Sequence, residues 1–347
     1  MGRNMTKAHS MSDTSSPKKP YFPPPPPLNA PPKGLWRATP PAIFPPMLGL
    51  LGMGLAWRQA GVALNAPAWI GELILGAVSL LYIFGVIAYK AKAVRRLSVV
   101  ADDVRILPGR AGLSAGTGAG MLLAAALVPF SIPLAKVVLV ASLMGHAIIA
   151  ALIIRSFIIG PPEQRRVTPV WHLSFVGFII GGVAAPAVGW PDLASLLLAT
   201  TLPIAAAIWL ISALQFAKAD VPPPLRPLLA IHLAPVALFG IVAAGLGHGG
   251  MAVAFGYLGV AVMAVMLLSA RYFTKGDFTA LWGAFTFPMA AFANLMFAAA
   301  KFQQTPFAII GGLELVGATL AISVIAFKIM QIWARGKLSK ATNAATI

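Results

Sequence analysis

Few residues of this chain can carry proton or metal chemistry: nine Asp and Glu, five His and no Cys in 347 residues. Without cysteine there is no disulfide framework, thiolate nucleophile or thiolate metal site. His146, His172 and His232 lie inside apolar stretches, where a facing pair could hold a haem or a metal ion. No two of them stand at i, i+3 or i, i+4, so their spacing assembles no site, and hydrogen bonds to neighbouring backbone account for them equally. Ser174 follows His172 by two positions, which puts the side chains on different helix faces and excludes a Ser–His dyad. HExxH, paired-aspartate and Walker phosphate-loop motifs are missing. Asp102 and Asp103, beside Arg105 in a long polar connection, read as a solvated charge cluster. The expectation is no enzyme, no catalytic residue, no metal and no cofactor.

The acidic residues also constrain what the chain moves. Only Glu72 and Glu314 fall within apolar runs. A cation pathway or proton relay places carboxylates on its lining helices, so their scarcity favours an anion or a neutral solute. Glu314 has two readings: a proton-coupling site, or a carboxylate that is hydrogen-bonded or snorkels at a helix end.

The elements that position these groups are membrane spans. A chain 59% hydrophobic and 10% charged, with apolar windows of about 20 residues between short turns, is an all-α polytopic membrane protein. Ten spans are expected, at roughly 42–60, 69–89, 112–130, 133–155, 169–189, 193–217, 227–246, 251–270, 279–300 and 307–333. With the N-terminus inside, all but three of the 26 Lys and Arg fall on the cytoplasmic side; Arg58, Lys136 and Lys301 are the exceptions. That asymmetry predicts both termini in the cytoplasm of a multi-pass plasma (inner) membrane protein. It also explains most of the +17 net charge as topology, so nucleic acid is not an expected partner.

Three regions follow: residues 1–40, a Pro-rich cytoplasmic tail; 41–334, the transmembrane domain; and 335–347, a short basic tail. The first contains YFPPPPPLNAPPK and is expected to be disordered or polyproline II, as a tether near anionic lipid or an SH3-type ligand. No apolar run follows the start Met within 30 residues, so no cleavable signal peptide is expected.

Prolines and glycines concentrate in the odd-numbered spans: Pro45 and Pro46 in the first, Pro186 in the fifth, Pro235 in the seventh and Pro288 in the ninth. An interior proline frees a carbonyl and kinks the helix, which the membrane tolerates only against protein or a water-filled cavity. The odd spans are therefore expected inside and the even spans against lipid, as five helical hairpins. AIFPPMLGL, AIHLAPVAL and GAFTFPMAAF in spans 1, 7 and 9 are weakly similar, each placing a ring just upstream of a proline. Such a repeat is the mark of pseudo-symmetry around a central pathway.

FPPMLGLLGMGLAW, RPLLAIHLAPVAL and above all ALWGAFTFPMAAFA, with Trp282, Phe285, Thr286, Phe287 and Pro288 as its core, resemble the tellurite-resistance/dicarboxylate transporter family, which includes the plant slow anion channels. The resemblance spans roughly residues 40–334. It implies a quasi-fivefold arrangement of five hairpins around a central pore, a homotrimer with one pore per subunit, and a gate at the phenylalanine before the ninth-span proline, here Phe287. Plant channels of this family carry aromatic residues early in span 3, where this chain has Leu113, Ser114, Ala115, Gly116 and Thr117. Candidate pore-lining residues are Phe44, Pro46, His172, Pro186, His232, Pro235, Phe285 and Pro288. The expected partners are small inorganic or organic anions and the lipid bilayer. The expected function is channel-like anion transport; the alternative is proton-coupled transport of C4-dicarboxylates or tellurite-type oxyanions, with Glu314 or a histidine as proton carrier.

Overall fold

The computed structural model describes residues 34–347, all of them in helices, turns and loops. The expected polyproline tether, up to residue 33, lies outside the described residues. Ten helical segments follow one another: α1 Pro41–Leu64, α2 Ala68–Arg95, α3 Leu107–Leu127, α4 Ile132–Ile159, α5 His172–Ala184, α6 Pro191–Lys218, α7 Pro223–Gly245, α8 Gly249–Leu268, α9 Ala280–Ala300 and α10 Gln304–Ala334. Eight are long and apolar enough to cross a membrane; α3 is Gly-rich and polar at its start, and α5 is shorter. The segment ends follow local chemistry. Asn65 closes α1 in the left-handed conformation, Ser131 Oγ accepts the Leu134 N–H at the start of α4, and proline opens α6.

Burial separates the odd from the even segments. Of each segment's most apolar stretch, 22% to 33% is buried in the even helices, against 50% in α1 and 72% in α7 and α9. The even helices present Leu80, Met144, Leu210, Val265 and Leu320 outward, an apolar surface that only lipid or another apolar partner covers at low cost. Each odd segment packs on the even one that follows it. The odd segments also touch one another: α1 with α3, α3 with α5, α5 with α7, α7 with α9, and α9 with α1.

The prolines of α1, α7 and α9 do not kink continuous helices, which corrects the expectation. Each of these segments begins as a 3₁₀ turn and then changes to α-helix, at Phe44, Leu233 and Thr286. Pro45, Pro46, Pro235 and Pro288 sit within the first three positions of the α-helical part, just past the junction at which the N–H groups of Phe44, Leu233 and Thr286 still bond back into the 3₁₀ turn. The three similar stretches AIFPPMLGL, AIHLAPVAL and GAFTFPMAAF all straddle this junction. Segment α5 is irregular in another way, a π turn His172–Val176 and a 3₁₀ turn Gly177–Ile180 before its α turn. Pro186 lies beyond that turn, in the bend that follows.

A second correction concerns the connection after α2. Helix α2 runs on to Arg95 and α3 begins at Leu107, with a short helix Ser98–Val104 between them. Asp103 is fully buried there, not solvated: its Oδ2 accepts from Lys92 Nζ and Tyr89 Oη, both at 2.8 Å, and its Oδ1 from the Ala345 N–H at 2.8 Å. Lys92 also donates to the Thr39 carbonyl, so the chain's last residues and the lead into α1 are bound to one buried ion pair. Asp102, by contrast, faces Arg96 and Arg105 near solvent, as expected.

Candidate functional site: two cavities joined at Phe287

Two cavities lie end to end along the odd segments, and every residue lining them belongs to α1, α3, α5, α7, α9 or the turns that end these segments. The proximal cavity is bounded by the early residues of each segment, among them Pro45, Ala111, His172, Pro235 and Ala284. The distal cavity is bounded by later ones, among them Arg58, Ala125, Pro186, Ile241 and Asn294. Two residues, Leu238 and Phe287, line both.

Phe287 is placed by a close contact between α9 and α1. The Thr286 hydroxyl donates to the carbonyls of Gly283 at 2.7 Å and Pro45 at 3.0 Å, which anchors the first α-helical turn of α9. Gly49 lets the two backbones meet there, since a Cβ on it would stand 2.3 Å from the Thr286 Cβ. One turn on, Gly52 faces the Phe287 ring, whose Cδ2 would lie 3.5 Å from a Cβ at that position. The ring is 6% exposed.

The cavities differ in size and polarity. The proximal one, about 50 Å³, has room for a few water molecules and walls of Ala, Pro, Gly, Leu, Ile, Val and Phe; His172 is the one polar side chain among its lining residues. The distal cavity, about 480 Å³, carries Arg58, Gln59, Asn294 and Lys301. Arg58 grips Glu72 of α2 at 2.7 and 2.8 Å and the Ala126 carbonyl at 3.2 Å, so Glu72 serves as a clamp for a cavity-wall guanidinium. Among the described residues no carboxylate lines either cavity.

Polar contacts cross the odd segments at the level of the proximal cavity. His172 Nε2 and His232 Nδ1 are 3.0 Å apart, and Trp209 Nε1–H donates to the His232 carbonyl at 3.2 Å. Ser114 Oγ pairs with Ser174 Oγ at 3.0 Å, and Thr117 Oγ1 with His146 Nδ1 at 2.6 Å. Spacing along the chain carried no sign of the His172–His232 pair, because the two stand 60 residues apart on different segments.

Residues 38–330 match the model of the family described as voltage-dependent anion channel. The chain belongs to that family. Its match covers all ten helical segments but the end of α10, and the resemblance carried by the Trp282–Pro288 stretch is to this same family. As a member of the voltage-dependent anion channel family the chain is a multi-pass membrane protein of anion transport, in a family of channels and transporters rather than enzymes. Among curated proteins no significant match is found.

In this anion channel family member, the candidate residues separate cleanly by position. His172, Pro235 and Pro288 line the proximal cavity, Pro186 the distal one, and Phe287 both. The others stand back from both cavities. Phe44 packs edge-on to Tyr82 and Tyr89, and Pro45 rather than Pro46 reaches the wall. Phe285 packs against Phe273 and Trp282. His232 lines a separate lateral cavity. Glu314, on α10, lines neither axial cavity, and its Oε1 is buried without a partner. Asn294, Arg58 and Lys301 were not singled out as lining residues by sequence reasoning. For Asn294 a signal existed: it is a polar residue in an apolar helix, two turns past Phe287 and so on the same face.

Proposed function

We propose that the chain is an anion channel whose pathway runs through the proximal and distal cavities and is closed by the ring of Phe287. The observation that carries this reading is the shared position of Phe287, a bulky apolar ring at the boundary between two cavities walled by the five odd segments. A hydrated ion does not fit through a 50 Å³ apolar space, and such a constriction gates by dewetting until the ring moves. Anion preference follows from the absence of carboxylates in the lining among the described residues and from Arg58 and Lys301 at the distal end.

The same reading counts α3 and α5 as spans, ten in all, paired as five hairpins in quasi-fivefold order. The contacts of each odd segment with its neighbours, closed by α9 against α1, support that arrangement. The positive-inside distribution supports cytoplasmic termini in a plasma membrane and makes the proximal cavity the cytoplasmic one.

Phe287→Ala in proteoliposomes or oocytes tests the gate. The expected result is an anion conductance at least about tenfold above wild type, with no gain of cation conductance. Unchanged anion current sinks the assignment. The alternative coupling role of Glu314 draws less support, since its carboxylate lies off both cavities.

A further inference from the structure

Beside the proximal cavity lies the lateral one, about 480 Å³, between α6, the start of α7 and the end of α8. Helix α6 packs on α5 and α7, and α8 on α7 and α9, with little contact between the two. The gap is open toward the bilayer: Phe216 of α6 and Val265 of α8 line the cavity and are still 54% and 62% exposed. It also has the length of a leaflet. The helical run from Trp209 to Ala219, both on its wall, rises about 15 Å, half of a hydrocarbon core of about 30 Å. A slot that faces lipid and is walled by Trp209, Leu229, Val262 and Met266 is filled at low cost only by an apolar chain.

The polar lining gathers at the end where α6 stops and α7 starts, with Arg166, Gln215, Ser269 and Tyr272; Ser212 and His232 are the exceptions deeper in. That end is basic. Arg166 is exposed and has no ion-pair partner among the described residues; its Nε donates to Gln215 Oε1 of α6 at 3.4 Å. Lys218 and Arg271 are exposed too, each next in sequence to a lining residue, Ala219 and Tyr272. The Asp220 carboxylate is taken up by the Tyr272 hydroxyl, the Val221 N–H and Arg226, whose guanidinium lies 4.0 Å from the centre of the Tyr272 ring. No carboxylate lines the cavity among the described residues.

We propose that the lateral cavity is a binding site for an anionic phospholipid, with one acyl chain between α6 and α8 and the phosphate at Arg166. An apolar slot one leaflet long with cations at its mouth matches both parts of such a lipid, and neither a soluble anion nor a neutral lipid uses both. By the topology proposed above the lipid comes from the cytoplasmic leaflet; the site itself depends neither on that topology nor on Phe287 as a gate. Leu228 is common to the lateral and proximal cavities, so the bound chain backs one wall of the axial space.

The test uses the purified full chain in detergent, phosphatidylglycerol carrying a photoactivatable diazirine in one acyl chain, and mass spectrometry to locate the label. Labelling is expected to concentrate in residues 209–219 and 262–273, and to be competed by unlabelled phosphatidylglycerol but not by phosphatidylcholine of the same chains. Arg166→Gln is expected to weaken it about fivefold, the effect of one cation near a membrane surface. Ala213→Trp, which fills the slot from α6, is expected to abolish it. Both positions are exposed, and an unchanged elution volume on gel filtration shows that a variant is folded. Label absent from α6 and α8, spread evenly over the even helices or competed equally by phosphatidylcholine overturns the proposal, the last two being the mark of ordinary lipid around the protein. So does competition by glycerol phosphate alone, the mark of a soluble-anion site, and so does an Arg166→Gln variant that labels like wild type.

Discussion

Asn294 donates its side-chain N–H to the Gly52 carbonyl at 2.8 Å, tying α9 to α1 beside the face of Phe287. The same amide donates to the Ala290 carbonyl at 2.8 Å, so one side chain spans the helix contact that sets the ring's position. Asn294→Leu removes both bonds and is expected to cost about 1 kcal/mol for each. Anion leak is expected to rise, since the first turns of α9 then hold Phe287 less firmly. Flux assays and thermal melts of the purified protein check this; a lower melting temperature with unchanged leak would separate the tie from the ring.

The Lys92–Asp103 pair is buried on both sides and holds three parts of the chain together. Lys92→Met leaves a buried, uncompensated carboxylate and is expected to destabilise the protein by about 3–5 kcal/mol. Replacing both partners, Lys92→Met with Asp103→Leu, is expected to recover most of that loss. Melting temperatures of the three proteins decide the point, and a double variant no better than the single one would show that the hydrogen bonds to Thr39 and Ala345 matter more than the charges.

Lys301 lines the distal cavity with no ion-pair partner among the described residues, whereas Arg58 is clamped by Glu72. Lys301 is thus the freer of the two charges for drawing anions toward the cavity. Lys301→Gln is expected to lower anion flux by up to about tenfold at low ionic strength. The deficit should shrink as salt is added, because exposed charges are screened over about 10 Å at 0.1 M. A deficit independent of salt would point to a packing defect instead.

Asp220, in the connection between α6 and α7, accepts from the Tyr272 hydroxyl, and also from the Val221 N–H and Arg226. The Tyr272 hydrogen bond, the largest cause, holds its carboxyl below the usual carboxylate range; desolvation opposes it, and the Val221 N–H and Arg226 reinforce it. A group whose folded pKa is depressed stabilises above its unfolded value, about 3.9, and that contribution fades as pH falls through the folded value. Tyr272→Phe is therefore expected to lower the melting temperature at neutral pH and to match wild type in strong acid. A difference that persists in acid would assign the effect to Tyr272 packing on Phe216 and Arg226.

Much of the fold is legible from the chain alone. Apolar run length and the placement of Lys and Arg mark the spans because a helix in lipid must satisfy its own backbone, a requirement local to each segment. The division of odd from even segments is visible in Pro45, Pro46, Pro235 and Pro288. What these prolines do is not: the sequence predicts kinks, whereas each sits just inside a new α-helical start after a 3₁₀ turn. A missing N–H reads the same in both cases, and only the conformation of the residues before it tells them apart.

The side chains that meet are a tertiary outcome. Two phenylalanines, Phe285 and Phe287, flank Thr286 in an apolar helix, and no property of either ring makes one a cavity wall and the other a packing partner of Trp282. The direction in which α9 leaves its 3₁₀ turn, set by Thr286 against Pro45 and by the room left at Gly49, makes that choice. His172 and His232, and Lys92 and Asp103, likewise carry no mark of their pairing, because distance along a chain bounds separation in space only from above. Composition and run length decided that this protein is a bundle of apolar, membrane-spanning helices, and the placement of prolines marked an interior set. The packing of α1, α3, α5, α7 and α9 against one another decided which polar groups face the space between them, since that depends on the rotation of each helix about its own axis, and neighbours impose that rotation rather than the residues themselves.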